Sequence, residues 1–572
     1  MAKPSVDQAL LRAKSHVKAG EIVEAQKLYH SVLQAFPKNK RAQKGLTALS
    51  KLKQPAATQG PPQDTINQLI NLYNQGQLAA VVEQAQALRE QYPETFIIWN
   101  ILGVAQKGLG RVQAACEAFE NVTKLNPTYA DGFNNLGVTL KDQGKLEEAI
   151  EAYNKALAIK PDYAEACNNM GIAIQEQGKL EEAIEAYNKA LAIKPDYTGA
   201  YYNMGAALQE QGKLEEAIEA YNKALAIKPD YAEAFYNMGT ALKEQGKLNE
   251  AIEAYNKALA IKPNYAEVTE NSFILAVQLL PIIANYRYDC HNSITQVNSE
   301  VAHRPKYQVQ NLIKTFLEAN FTKARSYNKN LNACDRKLLS RLKPKDRVFC
   351  NAYSIFIGRL LDSNLAEEPA CENKVYHLGE SHSLSYAHRN ITIEGSNFRI
   401  IPRITFGAKA FHFSRTKYDS FKAITKAHFL SLPKSSKVFL SYGEIDCRPN
   451  EGFISAATKL EKPLEELIDH TTEGYVQWFL NQNANQRHHL YFINVPAPVY
   501  NKEHSADLNS EVARTVALFN TALKKCSLQH GFDILDVFKF TAGDEGFSNG
   551  LFHVDNIHLG AKALPEIEQQ LS

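Results

Sequence analysis

The clearest chemical signal in the chain is Ser381, which stands in the segment VYHLGESHSL at 375–384. A short β-branched and aromatic run precedes it, so the pattern predicts a strand that ends just before the serine and a helix that begins there. The free backbone N–H groups and the positive end of such a helix would stabilise an oxyanion. Ser381 is therefore a candidate nucleophile.

A base for this serine is available near the end of the chain. Asp555 and His558 lie three residues apart in LFHVDNIHLG, just before the last predicted helix. A carboxylate at this spacing can hold the imidazole that would deprotonate Ser381, which predicts a catalytic triad in the order Ser, Asp, His. We expect His558 to lie at a solvent-reachable strand end. The alternative is an aspartate that caps the helix beside a surface histidine.

Three other residues are candidates for the same site. Gly407, in ITFGAKA, follows a predicted strand, and a residue without a side chain lets a backbone N–H reach a bound carbonyl oxygen. Asp446 and Arg448, in GEIDCRPN, are possible substrate contacts, although an ion pair within the loop is the alternative. Nearby histidines lack metal-ligand spacing, so we expect packing or substrate contact from His377, His382, His388, His412 and His553, and neither a metal nor an organic cofactor.

The elements that would position these residues alternate between strand and helix. After Glu372, short apolar runs separate helical stretches: KVYHLG, ITIEGSNFRIIPRI, KVFLSYG, HLYFINV and FDILDV. This alternation predicts a parallel sheet covered by helices on both faces, with functional residues at the carboxyl ends of the strands.

Residues 373–572 resemble the SGNH (GDSL-like) hydrolases on the motifs given above. The resemblance implies a three-layer, flavodoxin-like α/β fold with Ser381 as nucleophile. It also implies Ser381 and Gly407 as oxyanion donors, and Asp555 with His558 as the base pair. Members of this superfamily act on lipids, acetylated sugars and thioesters, so the implied function is a serine esterase or acyltransferase that acts on an ester, with an O-acetylated glycan as the leading substrate.

The match departs from the family pattern at two positions. Ile445 stands where the family motif G-x-N-D has its asparagine, and Glu380 replaces the usual aspartate. Loss of one oxyanion donor costs about 100 to 1000-fold in rate in other hydrolases. The alternative function is therefore a non-catalytic interaction scaffold that carries an inactive hydrolase-like domain.

The first half of the chain is a repeat with a period of 34 residues. Each unit reads as two helices joined by a glycine turn and ended by a proline. The repeat prolines are Pro93, Pro127, Pro161, Pro195, Pro229 and Pro263. The units resemble the tetratricopeptide repeat (TPR), which implies an all-α solenoid over 65–264 that binds protein or peptide. A TPR-like helical segment at 1–52 and a linker at 53–64 precede it.

Asparagine recurs two positions before each repeat glycine, at Asn135, Asn169, Asn203 and Asn237. In TPR superhelices, including the O-GlcNAc transferase array that these repeats resemble, asparagines at this position form a ladder on the concave face. The resemblance implies that they hold the backbone of an extended peptide. The alternative is that asparagine belongs to a repeat that has been duplicated.

The region 265–372 has helical periodicity without the repeat pattern, so we predict a helical connector that caps the solenoid. It should give the solenoid and the sheet domain separate cores, and it shows no chemistry of its own. The chain is thus predicted to be multidomain.

The composition limits the classes of partner that we expect. A net charge of +2 and 45% apolar residues are those of an ordinary globular protein, so neither nucleic acid nor a membrane surface is expected. The apolar stretch at 273–284 is interrupted by Gln278 and Pro281 and is too short to span a bilayer. The cysteines are scattered and the N-terminus lacks a secretory pattern, which together predict a cytoplasmic location.

Overall fold

The computed structural model describes residues 6–18, 21–53, 60–279, 304–332, 340–362, 369, 371–543, 545–555 and 557–572. Half of the predicted linker, part of the predicted connector and the end of the apolar stretch at 273–284 lie outside these ranges. The chain divides into two compact units, Met1–Pro195 and Asp196–Ser572. Within the described ranges no helix is both long and apolar enough to cross a membrane.

The first unit is entirely helical over its described residues. Its helices are Val6–Lys18, Ile22–Ala35, Lys40–Lys53, Gln63–Asn74, Leu78–Gln91, Phe96–Gly108, Val112–Leu125, Ala130–Asp142, Leu146–Ile159, Ala164–Glu176 and Leu180–Ile193. The repeat glycines and tyrosines explain how the helices of a pair come together. A Cβ atom on Gly137 would lie 2.6 Å from the buried ring of Tyr153, so only glycine lets this ring pack against the first helix. Gly171 and Tyr187 repeat the arrangement.

The second unit begins with further helices of the same kind and continues into the predicted connector. These helices are Thr198–Glu210, Leu214–Ile227, Ala232–Glu244, Leu248–Ile261, Ala266–Leu279, Pro305–Leu317, Phe321–Asn332 and Pro344–Leu361. The last of them, Pro344–Leu361, is called the wall helix below.

The rest of the second unit is a six-stranded sheet with helices. The strands are β1 (Lys374–Gly379), β2 (Asn390–Ile393), β3 (Ser396–Ile404), β4 (Lys437–Ser441), β5 (His489–Ile493) and β6 (Asp533–Leu535). Their order is β2-β3-β1-β4-β5-β6, and every neighbouring pair is parallel except β2 with β3. The helices of eight or more residues are Ser420–Ser431, Phe453–Leu460, Leu464–Asn483, Ala506–Gln529 and Leu564–Leu571, and the shorter ones are Ala410–Ser414 and Val537–Thr541.

One predicted strand proves to be a hairpin. The run ITIEGSNFRIIPRI folds into β2 and β3, which pair in antiparallel register with Ile393 opposite Ser396. Glu394 and Gly395 between them both have positive φ, 51° and 73°, as a tight two-residue hairpin turn requires. The alternating pattern alone did not reveal this break.

The predicted connector shares a core with the sheet region. Three connector residues, Phe273, Phe316 and Phe356, pack in one buried cluster with Leu384 and Ile404 of the sheet region. The Gln278 side chain also accepts the backbone N–H of Phe406 at 2.9 Å. The sequence did not reveal this shared core, because the spacing of apolar residues on a helix does not show which neighbour they pack against.

Candidate active site

Ser381 lies directly after β1, at the carboxyl edge of the sheet. The element that it opens is a single four-residue 3₁₀ turn, Ser381–Leu384, rather than a full helix. Gly379 permits the approach of β4, because a Cβ atom there would lie 2.3 Å from the Ser441 hydroxyl. The predicted strand before Ser381 is therefore present in the structure, whereas a short 3₁₀ turn stands in place of the predicted helix.

The structure brings together the three residues that the sequence singled out as a triad. The Ser381 Oγ and His558 Nε2 atoms are 2.9 Å apart, and the His558 Nδ1 and Asp555 Oδ2 atoms are 2.8 Å apart. The other oxygen of Asp555 accepts the backbone N–H groups of Ile557 at 2.8 Å and His558 at 2.6 Å. Burial raises the pKa of Asp555, but the hydrogen bond and charge of His558 outweigh it and bring this pKa to about 2. The carboxylate thus stays ionised and orients the imidazole.

His558 is more buried than we expected, although it lines a cavity beside Ser381. Only 6% of its surface is exposed, and its ring stacks on Phe356 of the wall helix with 3.8 Å between ring centroids and 13° between ring planes. The Arg359 side chain, also on the wall helix, donates to the backbone oxygen of Val554 in the loop that carries the triad. The connector region, which showed no chemistry in the sequence, therefore forms one side of the site.

A second ionic pair lies next to the triad. One oxygen of the Glu380 carboxylate accepts both the N–H and the hydroxyl of Ser381, and the other contacts His382 Nδ1. The remaining ring nitrogen of His382 lies 3.2 Å from the backbone oxygen of Ile557. Burial alone would lower the pKa of His382, but Glu380 outweighs it and raises this pKa to about 9. His382 is thus an imidazolium that donates from both nitrogens.

This pair predicts a decline in stability toward alkaline pH. The raised pKa of His382 means that its contribution is complete below its ordinary pKa of 6.5 and is lost as pH rises through about 9. His382 lowers the pKa of Glu380 despite the opposing effect of burial, so that contribution is complete above 4.5 and is lost in acid. The free energy of unfolding should fall by on the order of 2 kcal/mol between pH 6 and 9.

Urea denaturation followed by near-ultraviolet circular dichroism at a series of pH values measures this decline. His382→Gln should be less stable near pH 6 and should lose much of the alkaline slope. An identical slope in the variant and the parent protein would show that the pair does not titrate in this way.

Of the two predicted oxyanion donors, Gly407 lines the cavity, whereas the N–H of Ser381 is already engaged by Glu380. Gly407, whose φ of +69° suits glycine, lines the same cavity as Ser381 and His558. The Ser381 N–H instead donates to Glu380. Ile445 occupies the cavity wall where the family pattern has asparagine. Tyr353 of the wall helix lines this cavity too. Burial raises the pKa of Tyr353, which keeps the phenol protonated and able to donate.

Asp446 and Arg448 are engaged within the protein. The buried Asp446 carboxylate accepts the backbone N–H groups of Ala410 at 2.7 Å and Phe411 at 3.2 Å. Arg448 forms a two-pronged ion pair with Glu444, with an Nη2–Oε2 distance of 2.7 Å. Arg448 lines the same cavity as Ser381, whereas the Asp446 carboxylate is hydrogen-bonded to the backbone. The alternative of an ion pair within the loop therefore describes Arg448, whose partner is Glu444.

The remaining histidines make hydrogen bonds within the fold. His377 lies 2.8 Å from the Ser441 hydroxyl, His388 contacts the Phe316 backbone oxygen, and His553 contacts Ser548. His412 accepts the Lys409 N–H. Glu380, His382 and Glu444 have donor atoms within 4.8 Å of one another, a spacing that could suit a cation, but the three are held by the pairs described above.

The repeat asparagines contact the neighbouring repeat. In the first unit, the amide of Asn135 donates to Asn100 at 3.3 Å and that of Asn169 donates to Asn134 at 3.1 Å. In the second unit, the amide of Asn237 donates to the Tyr202 hydroxyl at 3.0 Å. Asn203 also interacts with another residue. These side chains are partly buried. At least three of them therefore link successive first helices.

Family models for the TPR repeat match residues 139–178, 175–212 and 207–246, and those for the tetratricopeptide repeat match 67–130, 118–151 and 232–265. Residues 67–265 are an array of tetratricopeptide repeats. The 34-residue period predicted this array, and TPR arrays suggest a role in protein–protein interaction. Among curated proteins, none matches the chain.

Several solved TPR structures resemble part of the chain. A crystal structure of MamA is 31% identical, and the match covers 29% of this chain and 97% of MamA with a TM-score of 0.27. TTC0263, a thermophilic TPR protein in Thermus thermophilus, is 24% identical over 32% of this chain and 98% of its own, with a TM-score of 0.28. YrrB, described as a TPR protein with an unusual peptide-binding site, is 19% identical over 33% and 98%, with a TM-score of 0.28.

Proposed function

We propose that the chain is a serine ester hydrolase or acyltransferase of SGNH type, joined to a TPR array that binds protein. The observation that carries this proposal is the continuous hydrogen-bonded series from Ser381 through His558 to Asp555. The strand order supports a flavodoxin-like fold. Numbered without the antiparallel β2, the parallel strands follow the order 2-1-3-4-5, and Ser381 follows the strand at which the order reverses.

In the proposed reaction, the Ser381 hydroxyl first turns its proton from the Glu380 carboxylate toward His558 Nε2. It then attacks the carbonyl carbon of an ester while this proton passes to His558 Nε2. The tetrahedral intermediate collapses, the bond to the leaving oxygen breaks, and His558 returns the proton to the departing alcohol. Water or an acceptor hydroxyl then attacks the acyl-serine and gives its proton to His558. Cleavage of the acyl bond returns this proton to Ser381. Asp555 holds the imidazole and stabilises its charged form in both steps.

Tyr353 is our candidate for the donor that Ile445 cannot supply. Tyr353 lines the same cavity as Ser381 and burial keeps its phenol protonated, so it can donate to the oxygen that becomes negative in the intermediate. Gly407 adds a backbone N–H from the loop after β3. The Ser381 N–H would become available only if the Glu380 carboxylate moved away from it.

A fluorophosphonate probe tests the proposal. We expect the full-length protein to be labelled and Ser381→Ala to lose labelling completely, because the probe reacts with an activated serine. Ser383→Ala is the matched control, since Ser383 lies in the same turn but its hydroxyl donates to the Glu380 backbone oxygen. A folded parent protein that fails to react would favour the non-catalytic scaffold.

For the array, we propose that the first helices hold an extended peptide through amide side chains. A double variant, Asn203→Ala with Asn237→Ala, should weaken binding of a captured peptide by about thirtyfold, at about 1 kcal/mol for each lost hydrogen bond. Fluorescence anisotropy with that peptide measures the change.

Asn222→Ala is the control for this double variant, because Asn222 is exposed on the second helix of one of the same repeats. Unchanged affinity together with a lower melting temperature would show that these asparagines only join the repeats.

A further inference from the structure

A cavity of about 580 Å³ opens beside Ser381 and His558. The wall helix forms much of its lining, and the loops after β1, β3 and β4 and the loop that carries Asp555 and His558 contribute the rest. Its apolar lining residues include Val348, Phe349, Ala352, Phe356, Phe406 and Ile445. Val348 is 67% exposed, so it offers apolar surface to a bound group.

The polar groups of this cavity do not suit a sugar. Its charged residues are Glu380, Arg448 and Glu451. Glu380 is engaged by His382 and Ser381, and Arg448 is engaged by Glu444. A glycan that entered the cavity would leave hydroxyl groups against the rings of Phe349, Phe356 and Phe406, which is costly without hydrogen-bond partners. The cavity also has room for many more atoms than an acetyl group supplies.

Building on the function proposed above, we propose that this cavity binds the acyl chain of a medium-chain ester and that the wall helix is its binding surface. The ester carbonyl lies at Ser381, and the chain extends along Phe349 and Ala352. Each methylene that leaves water for this surface adds favourable free energy, so affinity should rise about fourfold for each added methylene until the cavity is full.

Binding can be measured without catalysis. Full-length Ser381→Ala should bind neutral methyl ketones, whose carbonyl mimics that of an ester, with affinities that rise steadily from butanone to decanone in isothermal titration calorimetry. Ala352→Phe in the same background fills the cavity and should reduce the preference for decanone at least tenfold. Ile355→Ala is the control, because Ile355 is 53% exposed on the same helix and does not line the cavity.

Turnover of p-nitrophenyl acetate, butyrate, hexanoate and octanoate by the parent protein gives the second readout. We expect kcat/KM to rise along the series and Ala352→Phe to flatten the rise. Should Ala352→Phe fail to fold, Val348→Asp places a charge on the same surface and should have the same effect on both series.

The two readouts separate the two proposals. Ketone binding that rises with chain length, without turnover of any ester, would support the chain site and overturn the hydrolase. Turnover without any rise, together with flat ketone binding, would support the hydrolase and overturn the chain site. No ketone binding and no turnover would overturn both.

Discussion

Replacement of His558 by glutamine is expected to lower ester turnover by a factor on the order of 10⁴, while the protein stays folded. The glutamine side chain can still fill space against Phe356, but its amide cannot accept the Ser381 proton at neutral pH. The loss should appear in kcat, measured with p-nitrophenyl butyrate. His558→Ala is a poorer choice, because it would leave a hole beneath the Phe356 ring.

The control for this change is His553→Gln in the same loop. His553 contacts Ser548 and is not part of the triad, so its replacement should leave kcat within a few-fold of the parent value. If His558→Gln kept more than a tenth of the parent activity, His558 would not be the base.

Replacement of Asp555 by asparagine should lower kcat by about 10² to 10³-fold, less than His558→Gln, with little change in KM. The Asp555 carboxylate accepts the His558 Nδ1–H, and an amide nitrogen at that place would favour the tautomer with its proton on Nε2. That tautomer cannot take the Ser381 proton. The asparagine oxygen can still accept the N–H groups of Ile557 and His558, so the loop should keep its shape.

Steady-state kinetics on Asp555→Asn and His558→Gln, measured side by side, check this ranking. A loss equal to or larger than that of His558→Gln would give Asp555 a role beyond orienting the histidine. Unchanged kcat would remove Asp555 from the mechanism.

The array and the strands were predictable because their signals are local. The glycine that lets the Tyr153 ring pack closely recurs in each repeat. The short apolar segments before Ser381 and Gly443 are strands in the structure. The positions of Ser381 and His558 could also be predicted from motifs, although only the fold shows that they lie 2.9 Å apart.

The contribution of the wall helix could not be predicted in the same way. Phe349, Tyr353 and Phe356 follow helical spacing, which reads as an ordinary apolar face, and nothing nearby in sequence marks the partner of that face. The stack of Phe356 on His558 joins residues that are far apart along the chain. The sequence did give one signal that the wall helix has further partners. Val348 and Ile355 lie outside the face that Phe349, Tyr353 and Phe356 form, so apolar residues occupy more than one face of this helix.

The role of Glu380 was equally hidden. The sequence showed it only as a mild replacement of aspartate, whereas the longer side chain contacts both the hydroxyl and the N–H of Ser381 as well as His382. Such a network depends on side-chain reach and on burial, neither of which is visible in a motif.

The central claim, that Ser381 is an acylated nucleophile, is tested most directly by trapping the intermediate. Full-length protein would be mixed with p-nitrophenyl octanoate, quenched in acid during turnover, digested and examined by peptide-mapping mass spectrometry. We predict one octanoyl group, located on Ser381. Turnover that proceeds without an adduct on Ser381, or with the acyl group on another residue, would contradict the claim.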